Sequence, residues 1–279
     1  MLRNALSLAP VAACCVNVAA LLIAEQMPGP NLHPSWSPDG AAIVFESVAD
    51  GDSEIVLLDL ASGARRQLTN NRDDDGVPIW EGDTIYFRSD RDGTQRWYQM
   101  KVDGTQQRPA PQGPALESRS RDGRVCVTES QWEGGLSIFR CDPAGKLTRL
   151  TAERHAEQPA VSPDGRYVIY ENRDTEPAGI YMMNADGSEC HRLSDGTDPS
   201  WSPDGRVALF KSLNAEKAWE VTVYDVHQAV KRQLGLGVHP AFSPDGRKIL
   251  FMSDRTGGNE IWLMSNEGEG VKCLTCAAR

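Results

Sequence analysis

The chain has 279 residues and a formal net charge of -10, from 29 Lys and Arg against 39 Asp and Glu. Hydrophobic residues make up 40% and charged residues 24%, which excludes a globally disordered chain and leaves one large domain or two average ones. The acidic balance excludes the basic face that phosphate binding requires, so no nucleic-acid partner is expected, and anionic lipid surfaces gain no support.

The N-terminal segment carries a positive charge at Arg3 and an apolar stretch from Ala5 to Ala24 broken by Ser7, Pro10 and Asn17. Polar Glu25 and Gln26 follow. That layout predicts a signal peptide over residues 1–26 and a periplasmic or secreted mature chain. A variant of this reading takes Val11-Ala12-Ala13-Cys14 as a lipobox that anchors a lipoprotein through Cys14. Past residue 26 no apolar run reaches the roughly 18 residues of a membrane-spanning helix, so no transmembrane segment is expected in the mature chain.

From His33 onward the chain repeats. Pro34-Ser-Trp36-Ser-Pro-Asp39-Gly40 returns at Pro159–Gly165, Pro199–Gly205 and Pro240–Gly246, with weaker copies at Pro78-Ile-Trp80 and at Pro114-Ala-Leu116 leading to Asp122-Gly123. The Asp-Gly pairs recur at about 41 residues or twice that, which yields six units. Each unit continues with a short apolar run such as Ile43-Val-Phe45, a polar turn such as Ser89-Asp-Arg-Asp92-Gly93, a second run such as Ile55-Val-Leu-Leu58, and a basic-then-Leu segment such as Arg65-Arg-Gln-Leu68. Short Val-, Ile-, Tyr- and Phe-rich runs punctuated by Asp-Gly read as hairpin-linked strands, with Pro fixing φ and Gly accepting a positive one. Four strands per unit and six units predict an all-β, six-bladed β-propeller of four-stranded antiparallel blades, a single domain over 27–279 with blades starting near residues 33, 77, 113, 158, 198 and 239. Trp36, Trp80, Trp201 and Phe242 are then expected on innermost strands, wedged between blades.

The Pro-x-Trp-Ser-Pro-Asp-Gly and Ser-Asp-Arg-Asp-Gly strings resemble those of the WD-repeat-like propeller family typified by TolB. The likeness spans about residues 33–276, and it is eroded in the second and third blades. The resemblance implies a protein partner in the bacterial cell envelope, as TolB-type propellers have in peptidoglycan-associated lipoproteins. It also implies an N-terminal α/β domain, for which the thirty residues ahead of the first blade leave no room, so a stand-alone propeller is expected. A hydrolase domain like that of related oligopeptidases is likewise not expected.

Propellers take their chemistry from loops around the central channel, so candidate residues are compared by repeat position. The residue before each blade's opening Pro falls at one channel mouth: His33, Val77, Gly113, Gln158, Asp198 and His239. Blades five, six and one are consecutive in a closed ring, so Asp198, His239 and His33 are expected to converge. Two imidazoles and a carboxylate form a candidate set for a partner, a ligand or a divalent metal such as Zn or Mn, and related oligogalacturonide lyases use a His-bound metal in such a channel. His155, His191 and His227 fall outside this column. Asn71-Arg-Asp73-Asp74-Asp75-Gly76 imitates the start of a calcium loop but has Gly82 where the bidentate Glu belongs. It reads as an acidic, solvated loop that adds to an anionic rim selecting a basic partner.

Of seven cysteines, Cys126 and Cys141 fall on adjacent strands of blade three, where a cross-strand disulfide can form. Cys273 and Cys276 have C-x-x-C spacing without a redox or zinc context, and the odd total leaves a free thiol. The chain has no nucleophile elbow, no zinc-protease motif and no phosphate-binding loop, so neither a catalytic residue nor a resident cofactor is assigned. The leading expectation is a non-enzymatic, protein-binding module. The alternative is a metal-dependent carbohydrate lyase or hydrolase working in the channel, and a small-ligand sensor is a third class.

Overall fold

The computed structural model describes residues 30–276 apart from 50, 112, 115–117 and 143. The expected signal peptide, the Cys14 lipobox and Leu116 lie outside the described residues. Within them the chain folds into six four-stranded antiparallel sheets with no helix, and each sheet is built from four strands in sequence order. The six innermost strands are Asn31–Trp36, Asp75–Glu81, Ser118–Arg119, Ala156–Val161, Thr197–Trp201 and Val238–Phe242.

The short apolar runs explain the stacking. A strand sends successive side chains to opposite faces, and in a blade each face meets a different neighbour. Thus Ile43 and Phe45 pack with Leu250 and Ile261 of blade 6, whereas Val44 packs with Ile85 and Phe87 of blade 2. Both faces are dry, so the runs are continuously apolar rather than alternating. Comparable clusters join blades 3 and 4, 4 and 5, and 5 and 6. Each fully buried Ile or Phe contributes about 1.5–3 kcal/mol, which a lone blade could not obtain.

Among the described residues, closure of the ring from blade 6 to blade 1 uses no exchanged strand. Trp36 Nε1 donates to the Ala241 carbonyl at 3.2 Å, Asn31 N–H to the Asn259 carbonyl at 2.8 Å, and Arg65 to the Leu274 carbonyl at 3.2 Å. Trp201 of blade 5 makes the same contact with blade 4, on the Ala160 carbonyl at 2.9 Å, while Trp80 bonds within its own turn.

The Ser-Pro-Asp-Gly string is a self-contained turn. Ser37 Oγ donates to Asp39 Oδ1 at 2.6 Å and accepts from the Ala42 N–H at 2.9 Å, and Gly40 takes φ 71°. Blades 3 to 6 repeat the Ser–Asp bond at 2.6–2.7 Å. The eroded third copy therefore keeps its turn chemistry. Cys126–Cys141 and Cys273–Cys276 are disulfides and Cys190 is free, its thiol 3.2 Å from Tyr170 Oη.

Candidate functional site

The innermost strands bulge just before their prolines. Pairing with the second strand slips between Leu32 and Ser35, Gly76 and Ile79, Glu157 and Ala160, Thr197 and Ser200, and Val238 and Ala241. The residue at each slip has positive φ: His33 48°, Val77 51°, Gln158 51°, Asp198 59° and His239 50°, with Gly113 at 64° in blade 3. These are the six column positions of the sequence. The following Pro donates no ladder hydrogen bond, which suits a bulge. Positive φ is unusual for non-glycine residues and a genuine outlier for β-branched Val77, so five bulges in register aim five side chains at one mouth, with Gly113 at the sixth position.

Cross-blade bonds hold the bulges. Val77 N–H donates to Glu46 Oε2 at 3.0 Å, Gln158 N–H to Glu129 Oε2 at 2.7 Å, Asp198 N–H to Glu171 Oε2 at 3.2 Å, and His33 N–H to Met252 Sδ at 3.3 Å. Glu46, Glu171 and Met252 occupy one repeat position on the second strand, thirteen residues past the bulge in their own blades, as Glu46 stands to His33. Lys211 holds that position in blade 5 and cannot accept a bond.

Blades 5, 6 and 1 bring Asp198, His239 and His33 together as expected. His239 Nδ1 lies 3.3 Å from Asp198 Oδ2, and the His33 and His239 rings are 6.1 Å apart. Lys211 Nζ reaches Asp198 Oδ2 at 2.7 Å, and His33 Nδ1 reaches Glu46 Oε2 at 3.0 Å. Burial pulls the Glu46 carboxyl up, but the bonds from His33 and the Val77 N–H, the His33 charge and Ser53 outweigh it and hold Glu46 below its ordinary value. Burial, with the Lys211 and His33 charges, outweighs the attraction of Asp198 and holds His239 below its ordinary value. Beside them Arg173 bonds Glu171 and lies 3.5 Å from Glu157, and the Glu171 bond raises its basicity.

This set does not fit a metal centre. Among the described residues no group of three or more His, Cys, Asp or Glu is arranged to hold an ion. The Lys211 ammonium already sits against Asp198, where it takes the place of a cation on that carboxylate. What the mouth offers is a set of ionisable side chains already paired within the protein, Glu46 with His33, and Lys211 and His239 with Asp198.

The acidic loop lies on the same face, just ahead of the Val77 bulge. Asp74 is exposed and Asp73 half-buried, but Asp75 is fully buried, where Arg91 at 2.7 Å and Asn71 at 2.6 Å bind it. A solvated Asp75 is therefore corrected: it is a structural anchor. Asp74 continues the rim, accepting from the Ser53 N–H at 3.0 Å while its own N–H bonds Asp90 at 3.0 Å. His155, His191 and His227 are exposed, and His155 pairs with Asp174 at 2.5 Å.

Sequence reading missed an apolar patch on this face. Leu213 and Trp219 face each other at the end of the central hairpin of blade 5, and Leu236 follows beside them; all three are exposed, at 41%, 38% and 45%. Trp219 lies under Lys211, whose Nζ is 5.2 Å from the ring centroid, so patch and charged mouth are continuous. Glu46 and Lys211 were also missed, although their common offset from His33 and Asp198 in a repeat would have found them.

A family model described as TolB beta propeller domain matches residues 16–197. Blades 5 and 6, beyond that span, carry the same turns. The chain is 31% identical over 199 residues to the Tol-Pal system protein TolB of Francisella tularensis subsp. mediasiatica (strain FSC147), covering 63% of this chain and 45% of that one. It spans about half the length of the curated relatives it matches. Among solved structures, TolB from Acinetobacter baumannii superposes with a TM-score of 0.62 at 17% identity, covering 87% of this chain and 62% of that one. An oligogalacturonate lyase in complex with manganese superposes at 0.53 and 18% identity, covering 88% and 77%. At these identities the likeness is one of fold.

Proposed function

Because the chain belongs to the TolB β-propeller domain family, we propose that it is a non-enzymatic, protein-binding module of the bacterial cell envelope. Its partner docks over the bulge-bearing mouth of blades 5, 6 and 1. The observation that carries this reading is the exposed Leu213–Trp219–Leu236 patch running into Asp198, Lys211, His239, His33 and Glu46. An apolar anchor of this kind, rimmed by fixed charges, is the anatomy of a protein interface. Asp73, Asp74 and Asp90 extend the rim with negative charge, so the partner presents a segment combining apolar side chains with Lys or Arg. The signal-like N-terminus and the relative named for the Tol-Pal system support a periplasmic location.

The test compares partner co-purification from the native envelope for the wild type and for Trp219→Ala, Leu213→Ala, Asp198→Ala and Lys146→Ala, in moderate and high salt. The expected result is one protein recovered with the wild type and with the distant Lys146→Ala control, lost with the other three and weakened by salt. Recovery unaffected by all four changes would contradict the reading. So would metal-dependent release of unsaturated, ultraviolet-absorbing sugars from oligogalacturonate that disappears in Asp198→Ala.

A further inference from the structure

The blade junctions are not filled equally. Between blades 4 and 5, Tyr167 and Trp201 pack against Ile169, Ile180 and Phe210. One repeat later the same positions hold Val207 and Phe242, both smaller. The wedge between blades 5 and 6 consequently holds a cavity of about 440 Å³, within the size range of small-molecule sites. It opens on the face opposite the bulges, among the Ser-Pro-Asp-Gly turns.

Its inner wall is apolar, from Val207, Val223 and Phe242, and its rim carries Arg121, Arg232 and Arg247. Arg232 is neutralised by Glu267 at 2.6 Å. Arg121 comes from blade 3, past blade 4, and donates to the Pro203 carbonyl of blade 5 at 2.5 Å, with no ion-pair partner among the described residues. The Arg247 guanidinium makes no side-chain hydrogen bond or ion-pair contact among the described residues, although its charge, after the Ser243 and Arg247 N–H bonds, helps hold the Asp245 carboxyl below its ordinary value. Asp204 and Asp245 also line the rim, but each carboxylate folds back on its own turn, accepting from Ser202 and the Arg206 N–H or from Ser243 and the Arg247 N–H. An apolar wedge under two guanidiniums that make no ion-pair contact with an acid among the described residues matches a carboxylate joined to a compact apolar body.

We propose that the cavity between blades 5 and 6 binds an apolar carboxylate, the acid held by Arg247 and Arg121 and the apolar body seated on Phe242, Val207 and Val223. Such a group is carried by a small free acid or by the C-terminus of a peptide ending in an apolar residue. Neither source depends on the partner assigned to the opposite mouth.

The probes are N-acetylphenylalanine and its primary amide, and a hexapeptide ending in phenylalanine with a free or an amidated C-terminus, titrated by calorimetry and ligand-observed NMR. Free-acid binding is expected with a Kd on the order of 1 mM or tighter. Binding by both acids assigns the site to small acids in general, and binding by the peptide acid alone assigns it to peptide C-termini. Amidation and Arg247→Gln should each weaken binding at least about tenfold. The double variant Val207→Tyr/Phe242→Trp copies the filled junction between blades 4 and 5, and should abolish binding at an unchanged or raised Tm. Equal binding of acid and amide, undiminished binding by the filled variant, or no binding of either acid would overturn the proposal.

Discussion

Replacement of Glu46 tests how the mouth is held. The residue is 8% exposed, and its carboxylate accepts from His33 Nδ1 at 3.0 Å, the Val77 N–H at 3.0 Å and Ser53 Oγ at 3.1 Å. In Glu46→Ala, His33 and Ser53 can turn toward water, but the Val77 N–H is fixed at the base of its bulge and loses its acceptor. A hydrogen bond to a charged group is worth about 1.5–3 kcal/mol, and a stranded donor adds to that loss, so a destabilisation of about 3 kcal/mol is expected. For a chain of this size that lowers Tm by about 6–12 °C. Glu46→Gln keeps one acceptor for Val77 and should cost about 1 kcal/mol. The pH dependence has a definite sign. Glu46 is held below its ordinary value of 4.5, so its contribution is present above that pH and fades as pH falls through the lower folded-state value. Urea titrations at pH 7 and at about pH 3.5 should give a deficit for Glu46→Ala that is large in the first and smaller in the second. Gly76 supplies the control: a Cβ there would lie 2.4 Å from Glu46 Oε2, so Gly76→Ala should destabilise the parent and cost much less in the Glu46→Ala background. Equal stability of parent and Glu46→Ala at pH 7, or additive Glu46 and Gly76 effects, would refute the reasoning.

Two further outcomes follow from the packing. Glu54 is 4% exposed, and burial first, then the charges of Asp75 and Asp52, outweigh its hydrogen bonds and raise its carboxyl above the ordinary value. The stability it contributes when protonated is therefore lost as pH rises through the folded value. Glu54→Gln should unfold at higher urea than the parent at pH 7 and converge with it below about pH 4.5, as paired denaturation curves would reveal. Trp36 is 8% exposed and closes the ring onto Ala241. Trp36→Ala should cost about 3–5 kcal/mol, read as a Tm drop of about 6–20 °C by calorimetry.

The six bladed units were legible because their chemistry is contiguous: Ser, Pro, Asp and Gly each serve one bond or one torsion of a single turn. The bulge column was legible for a related reason. Its members directly precede a proline that marks the same step in every blade, and the ring then brings Asp198, His239 and His33 together. Glu46 and Lys211 act across strands, so their roles emerge only when one blade is laid on the next. Asp75 was misplaced because a run of aspartates looks uniformly solvated in sequence, whereas the third begins a strand and is buried against Arg91. The Leu213–Trp219–Leu236 patch lies at strand ends where apolar residues look like core, and only their exposure distinguishes them. The cavity between blades 5 and 6 is a difference of two side chains from its neighbour, visible once packing partners are known.

The central claim, that a protein partner docks on the bulge-bearing face, is tested most directly by photo-crosslinking in living cells. A photoreactive amino acid is placed at Leu236 or His239 on that face, and at Lys146 or Lys231 on the opposite one. The account predicts one dominant adduct, to the same protein, from residues 236 and 239, absent from 146 and 231 and lost when Asp198→Ala and Trp219→Ala are added. Adducts of equal strength from both faces, or from the opposite face alone, would contradict it.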